Sequence, residues 1–179
     1  MTLRITSIGF RGIFNRGLKV APLAAALATT LLAAAPRDAG SAEARAFSAL
    51  FGSWSGEGKI MKADGASERV RCRSAYEPAG GTQISLRLNC NSESYKFDLS
   101  ANVMYEGGRI TGSWSEASRG VGGNIAGRSN PNGSQVQALA QSAAFSANIS
   151  LTTRGARQSV QIVSPGSDVR DVTIALERR

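Results

Sequence analysis

The sequence predicts an all-β protein: an antiparallel up-and-down barrel of about eight to ten strands, closed or nearly so, with a short N-terminal helix and one disulfide. Three observations predict it. Apolar residues recur with a period of two along most of the chain, which is the mark of strands with one buried and one wet face. Turn signals interrupt these runs at short intervals, at Asp64-Gly65, residues 78–81, Glu106-Gly107-Gly108, Asn132-Gly133, Gly155 and Pro165-Gly166. No long crossover segment lies between them, so consecutive strands are joined by hairpins.

Residues 1–42 read as a secretory signal peptide cleaved from a single domain over 43–179. Arg4, Arg11, Arg16 and Lys19 form a basic region, residues 20–35 (VAPLAAALATTLLAAA) an apolar one, and small residues offer cleavage after Ala35 or Ala42. The apolar run is short and alanine-rich against the ~20 residues a transmembrane helix takes, so no stable membrane span is expected once it is removed. An uncleaved N-terminal anchor is the other reading of the same stretch, and the flanks fit removal better. Cleavage after Ala42 takes away five basic residues and one acidic, leaving 16 against 12, a net +4 in place of +8. That is mildly basic and too weak to point to nucleic acid.

The chain then enters AEARAFSAL, residues 42–50, where Phe47, Leu50 and Phe51 fall on one side of a short helical turn. FGSWSGEGKI, residues 51–60, opens the first strand with Trp54, Gly56, Gly58 and Ile60 on one face. In ERVRCRSAYEPAGGTQISLRLNC, residues 68–90, a turn at 79–82 pairs residues whose numbers sum to 161, and a one-residue offset through a glycine bulge brings Cys72 opposite Cys90. Directly opposed residues of a non-hydrogen-bonded pair lie close enough for a bridge. An even cysteine count in an exported domain also reads as one disulfide. SYKFDLSANV, residues 94–103, alternates Tyr95, Phe97, Leu99, Ala101 and Val103 against polar neighbours. ITGSWSE, residues 110–116, puts Ile110, Gly112, Trp114 and Glu116 on one face. Residues 119–143 are rich in glycine and mark either a bent strand or a loop. AFSANISL and DVTIALE resume the alternation, with Phe145, Ala147, Ile149 and Leu151 and then Val172, Ile174 and Leu176 on one face.

The two GSWS segments hold both tryptophans of the chain. They do not align beyond those four residues, so they are not a repeated module. Small residues beside each tryptophan leave room for the indole and for close backbone approach. Glu116 is a carboxylate on a buried face and needs a partner such as Arg154 or Arg157, or a place at an open mouth. If the barrel holds a pocket, Trp54, Tyr95, Phe97, Trp114 and Glu116 are its candidate ligand-binding residues, with the indoles as floor and wall. If it holds none, the indoles are core. On the outer face the hairpin register gathers Arg69, Arg71, Arg73 and Arg87, with Glu93 opposite Arg69. This is either a patch for a carboxylate, a phosphate or an acidic partner, or an ordinary solvated charged face.

The chain has no histidine, which removes histidine-based nucleophile systems, histidine-ligated haem and nearly all zinc sites. Bridged cysteines leave no thiolate, and the sequence shows no phosphate loop or nucleophile elbow. Carboxylate pairs such as Glu57 with Glu116 are the candidates for glycosidase chemistry, and the alternation places these two on opposite faces. The expectation is an exported, periplasmic or extracellular protein that is not an enzyme, with no catalytic residue, metal or cofactor.

Gly52-Ser53-Trp54, preceded by the turn over residues 42–51, resembles the opening of calycin barrels: lipocalins, fatty-acid-binding proteins and nitrobindin-like proteins. The resemblance implies that Trp54 closes the base of the barrel with an arginine from a late strand packed over it, Arg154 or Arg157. Nitrobindin-like proteins hold haem through histidine, so haem does not carry over. Gly-x-Trp followed by Cys72 and Cys90 also resembles small periplasmic inhibitors of metalloproteases, whose protruding arm corresponds here to residues 43–50. That stretch is more helical and apolar than such an arm. Two functions follow as expectations: an envelope barrel holding a small apolar or amphipathic ligand, or a protein-binding module, such as a periplasmic protease inhibitor or an envelope interaction protein, that uses the arginine patch or a sheet edge.

Overall fold

The computed structural model describes residues 45–144 and 146–179. The expected leader over 1–42 and the side chain of Phe145 lie outside the described residues. The strands run in order as β1 (Gly52–Lys62), β2 (Ser67–Pro78), β3 (Gln83–Asn91), β4 (Lys96–Glu106), β5 (Arg109–Glu116), β6 (Val121–Ser129), β7 (Gln135–Gln141), β8 (Ser146–Arg154), β9 (Arg157–Val163) and β10 (Val169–Arg178). Each is antiparallel to its sequence neighbours, and β10 pairs with β1, so the sheet closes into an up-and-down barrel. Every described strand is paired on both sides, which leaves no open edge.

The period of two sets the inside and the outside. Ile60, Val70, Cys72, Ile84, Cys90, Ile110, Ile174 and Leu176 point inward and are buried. The alternate positions, Arg69, Arg71, Arg73, Arg87 and Glu57 among them, are exposed. Each fully buried aliphatic side chain contributes roughly 1.5–3 kcal/mol. Cys72 and Cys90 are directly opposed and disulfide-bonded. The register offset comes from the loop and not from a bulge. Pro78 pairs with Ile84, the Ala79 N–H donates to the Gln83 carbonyl at 3.0 Å, and Gly80 and Gly81 turn the chain at φ 94° and 54°, which suits glycine alone at low cost.

Residues 119–143 hold two strands, β6 and β7, and β6 is paired along both sides rather than loose. A Cβ on its inward Gly123 would lie 1.7 Å from the Gln141 carbonyl oxygen, so the neighbouring backbone comes in where a side chain would stand. Gly56 on β1 does the same toward Ala175 of β10, at 1.9 Å.

The short helix expected over 42–50 is not formed in its described part: residues 45–50 make turns. Phe47 takes a positive φ of 60°. Its N–H donates to Pro131 at 3.0 Å, and that of Ala49 to Asn132 at 2.8 Å, so the segment bonds to the β6–β7 turn. A single helical turn is weak by itself; burying Ala46, Phe47 and Leu50 across the barrel end, with Phe47 edge-on to Tyr105, outweighs it. The segment thus plugs the base. Trp54, 1% exposed, donates from Nε1 to the Leu50 carbonyl at 2.7 Å. The guanidinium of Arg178 lies 4.2 Å from the indole centroid and donates to the carbonyls of Ala49 and Phe51. The arginine over the tryptophan is therefore Arg178, because β10 is the strand that closes against β1. Arg154 and Arg157 face each other at the exposed β8–β9 hairpin. Also in the barrel interior, Tyr76 donates to Gln158 at 3.0 Å and Gln158 to Thr153 at 3.2 Å. Burial pushes the Tyr76 hydroxyl up to about 12.

Candidate functional site: an apolar hollow with a polar mouth

A cavity of about 450 Å³ occupies the other half of the barrel. Its lining includes Arg119, Ser164, Ser167 and Asp168, which sit on the β5–β6 and β9–β10 turns. Those turns lie at the opposite end from the β6–β7 turn that anchors the plug, so the mouth faces away from the plug. The walls are apolar: Leu86, Leu99, Ile149 and Val172, with Ala101, Ala140 and Ala147 where larger side chains would fill the space. An eight-stranded barrel is just wide enough for side chains to fill, and a wider one leaves room. Ten strands with three inward alanines leave this hollow.

The mouth carries a row of stacked groups. The rings of Tyr95 and Phe97 are parallel, with centroids 6.0 Å apart. Lys62 lies 5.4 Å from the Tyr95 ring centre and Arg119 lies 4.7 Å from that of Phe97. The Tyr95 hydroxyl donates to Asp168 at 2.6 Å, and that bond, with its negative charge, raises the tyrosine's pKa. Glu116 is buried at the edge of the mouth. Its Oε1 accepts the N–H groups of Asp98 and Ser118, and its Oε2 that of Arg119, all at 2.9 Å. The Arg119 guanidinium reaches Oε2 at 3.5 Å. Burial acts upward on this carboxyl, and the hydrogen bonds to Asp98, Ser118 and Arg119 outweigh it, so its pKa is lowered.

The structure places four of the five candidate ligand residues, Tyr95, Phe97, Trp114 and Glu116, on the cavity wall or mouth. Trp54 is in the plug and outside the lining. The reason is position along the strand. β1 and β5 both run from base to mouth, and GSWS begins β1 but falls near the end of β5. The two indoles therefore sit at opposite heights. Glu116 finds backbone N–H groups and Arg119 in place of Arg154 or Arg157.

Three of the four outer arginines find carboxylates within their own sheet. Glu57 lies 3.1 Å from Arg71 and 3.9 Å from Arg69, and Glu77 lies 3.8 Å from Arg87. Glu93 is not paired with Arg69: the β2–β3 ladder ends at Arg71 and Asn91, and Glu93 lies beyond it in the β3–β4 turn. Glu57 and Glu116 stand on opposite faces, as the alternation implies. Sequence reasoning missed Arg119 and Asp168. Both lie in turns, where a period of two carries no information about direction.

No protein-family model and no curated protein matches the sequence. Among solved structures, Rv2717c from M. tuberculosis aligns with a TM-score of 0.57 at 14% identity, over 74% of this chain and 94% of that one. The S-type phycobiliprotein lyase CPES from Guillardia theta aligns with a TM-score of 0.51 at 10% identity, over 74% of this chain and 90% of the other. At such identities the likeness is one of fold: this chain is a small closed antiparallel β-barrel.

Proposed function

We propose that the protein is an exported, non-enzymatic barrel that holds a small apolar or amphipathic ligand in its hollow. The observation that carries this reading is the 450 Å³ cavity, apolar along its walls and polar only toward its mouth. Its size falls within the roughly 300–1,000 Å³ of small-molecule sites. The outward faces, with Glu57, Arg71 and Arg73, are suited to water, and a disulfide suits an oxidising compartment. Glu116 is engaged by backbone donors and is poorly placed to act as a base or nucleophile. A protein-binding role is less favoured, since the described strands offer no open edge and Arg69, Arg71 and Arg87 have carboxylates beside them.

The test is titration with a fluorescent fatty acid and displacement by unlabelled apolar and amphipathic compounds. Saturable one-to-one binding that changes the Trp114 emission of a Trp54→Phe variant is expected. No saturable binding across such a panel overturns the reading. Export is tested separately: protein expressed with its leader and recovered outside the cytoplasm should begin after Ala35 or Ala42.

A further inference from the structure

Six polar side chains line the mouth: Tyr95, Glu116, Arg119, Ser164, Ser167 and Asp168. Their hydrogen-bonding capacity is unevenly used. A carboxylate has about four lone-pair sites, and those of Glu116 face the Asp98, Ser118 and Arg119 N–H groups and the Arg119 guanidinium. The Tyr95 hydroxyl is engaged by Asp168. The Ser167 hydroxyl donates within its own turn, to Ser164 and Val169. Arg119 differs from these. A guanidinium has five N–H donors, and the side chain makes one hydrogen bond among the described residues, a long one of 3.5 Å to Glu116. Its guanidinium carbon lies over the Phe97 ring, 4.7 Å from the centroid. Ser164, buried at the same mouth, adds a hydroxyl with no side-chain hydrogen bond among the described residues. Two charged groups are thus left with capacity: Asp168, an exposed carboxylate that accepts from Tyr95 alone among the described side chains, and Arg119, whose guanidinium lies over the Phe97 ring and is a fork shaped for a carboxylate.

From this we infer that the hollow takes a single-chain amphiphile with a carboxylate head, inserted tail first, with Arg119 as its headgroup contact. This rests on the ligand-holding reading above and names the ligand class within it. The size follows from the volume: at about 30 Å³ per water-sized group, 450 Å³ accepts a ligand of about 15 non-hydrogen atoms. The walls below the mouth are apolar, so the head stays at the rim. There the Arg119 side chain is 43% exposed, and the head keeps part of its hydration while it binds. Glu116 cancels most of the long-range field of Arg119. The preference for an anion is therefore a contact preference and depends on direct N–H donation.

The experiment compares dodecanoate, dodecanol and dodecyltrimethylammonium, three heads on one chain, by calorimetry below their micelle-forming concentrations. Dodecanoate is expected to bind about tenfold more tightly than dodecanol, as one charge-assisted contact gives, with the ammonium compound weakest. Arg119→Gln should lose the carboxylate advantage, with dodecanoate falling to the level of dodecanol. Parallel losses for both ligands in that variant would show a structural role only and overturn the assignment. The wild-type ranking decides the matter even where the variant fails to fold. Equal binding of dodecanoate and dodecanol defeats this inference and leaves the ligand-holding reading standing. Tightest binding of the ammonium compound would make Asp168 the headgroup contact and likewise defeats it. If none of the three binds, both readings fall.

Discussion

Glu116 stands on the inner face of β5, where its carboxylate ties the β5–β6 turn to β4 through the N–H groups of Asp98, Ser118 and Arg119. Its pKa lies below the ordinary value of 4.5. A carboxyl lowered in the folded state adds stability that is present above the unfolded pKa and is lost as pH falls through the folded value. The wild type should therefore lose stability on acidification below about 4.5 more steeply than Glu116→Gln. At neutral pH the glutamine variant should be less stable by about 1–3 kcal/mol, since its amide turns a donor toward donors. Urea unfolding at stepped pH measures both, and parallel pH curves would contradict the assignment. Glycines give a second residue-scale contrast. Gly56→Ala puts a Cβ 1.9 Å from a backbone oxygen, and should cost about 3 kcal/mol or more. Gly155→Ala meets nothing within 4 Å but keeps φ at 59°, and should cost only ~1–2 kcal/mol. The inward position of Glu116 is legible in the sequence, because alternation fixes faces. Its partners are not, because they are mostly backbone donors that exist only once β4, β5 and their turn are assembled.

Among the elements, the disulfide hairpin and the plug behave differently. The Cys72–Cys90 pairing was readable because the glycine turn at 80–81 and the alternation around it fix the register to within one residue. Replacing both cysteines by alanine should lower stability by ~3 kcal/mol in the chain-entropy picture, measured against the wild type by denaturant unfolding. The plug was misread as helix. Phe47 and Leu50 show helical spacing, but the bonds that hold the segment run to Pro131 and Asn132, more than eighty residues away. Arg178 was out of reach for a similar reason: it meets Trp54 only because the last strand closes on the first. Arg178→Ala should speed hydrogen exchange at residues 49–54 while leaving the disulfide hairpin protected. Arg178→Lys should rescue little, since an ammonium lacks the fork that meets two carbonyls. Full rescue by lysine would reduce the arginine's role to its charge.

For the whole molecule, the fold class was readable, and the hollow only as a question raised by small residues at inward positions. Strand number and the sequence of hairpins follow from period and punctuation. Empty volume depends on barrel radius minus the summed side chains, and no local pattern carries that difference. It was written in single positions such as Ala101, Ala140 and Ala147, which read in isolation as ordinary small core residues. Filling the space should separate stability from binding. Ala140→Leu with Ala147→Leu is expected to raise stability by about 0.5–2 kcal/mol and to abolish saturable ligand binding, by thermal melts and the displacement assay. Retained binding would place the ligand elsewhere.

The plugged base has one further consequence. Residues 45–51 lie there, and so does Arg179, whose N–H donates to the Ser53 carbonyl at 2.9 Å. A tether joined to Arg179 would leave from the floor of the molecule and never cross its opening. Coupled to a bead or sensor surface through Arg179, the barrel would stand as an upright cup with its rim toward the solution.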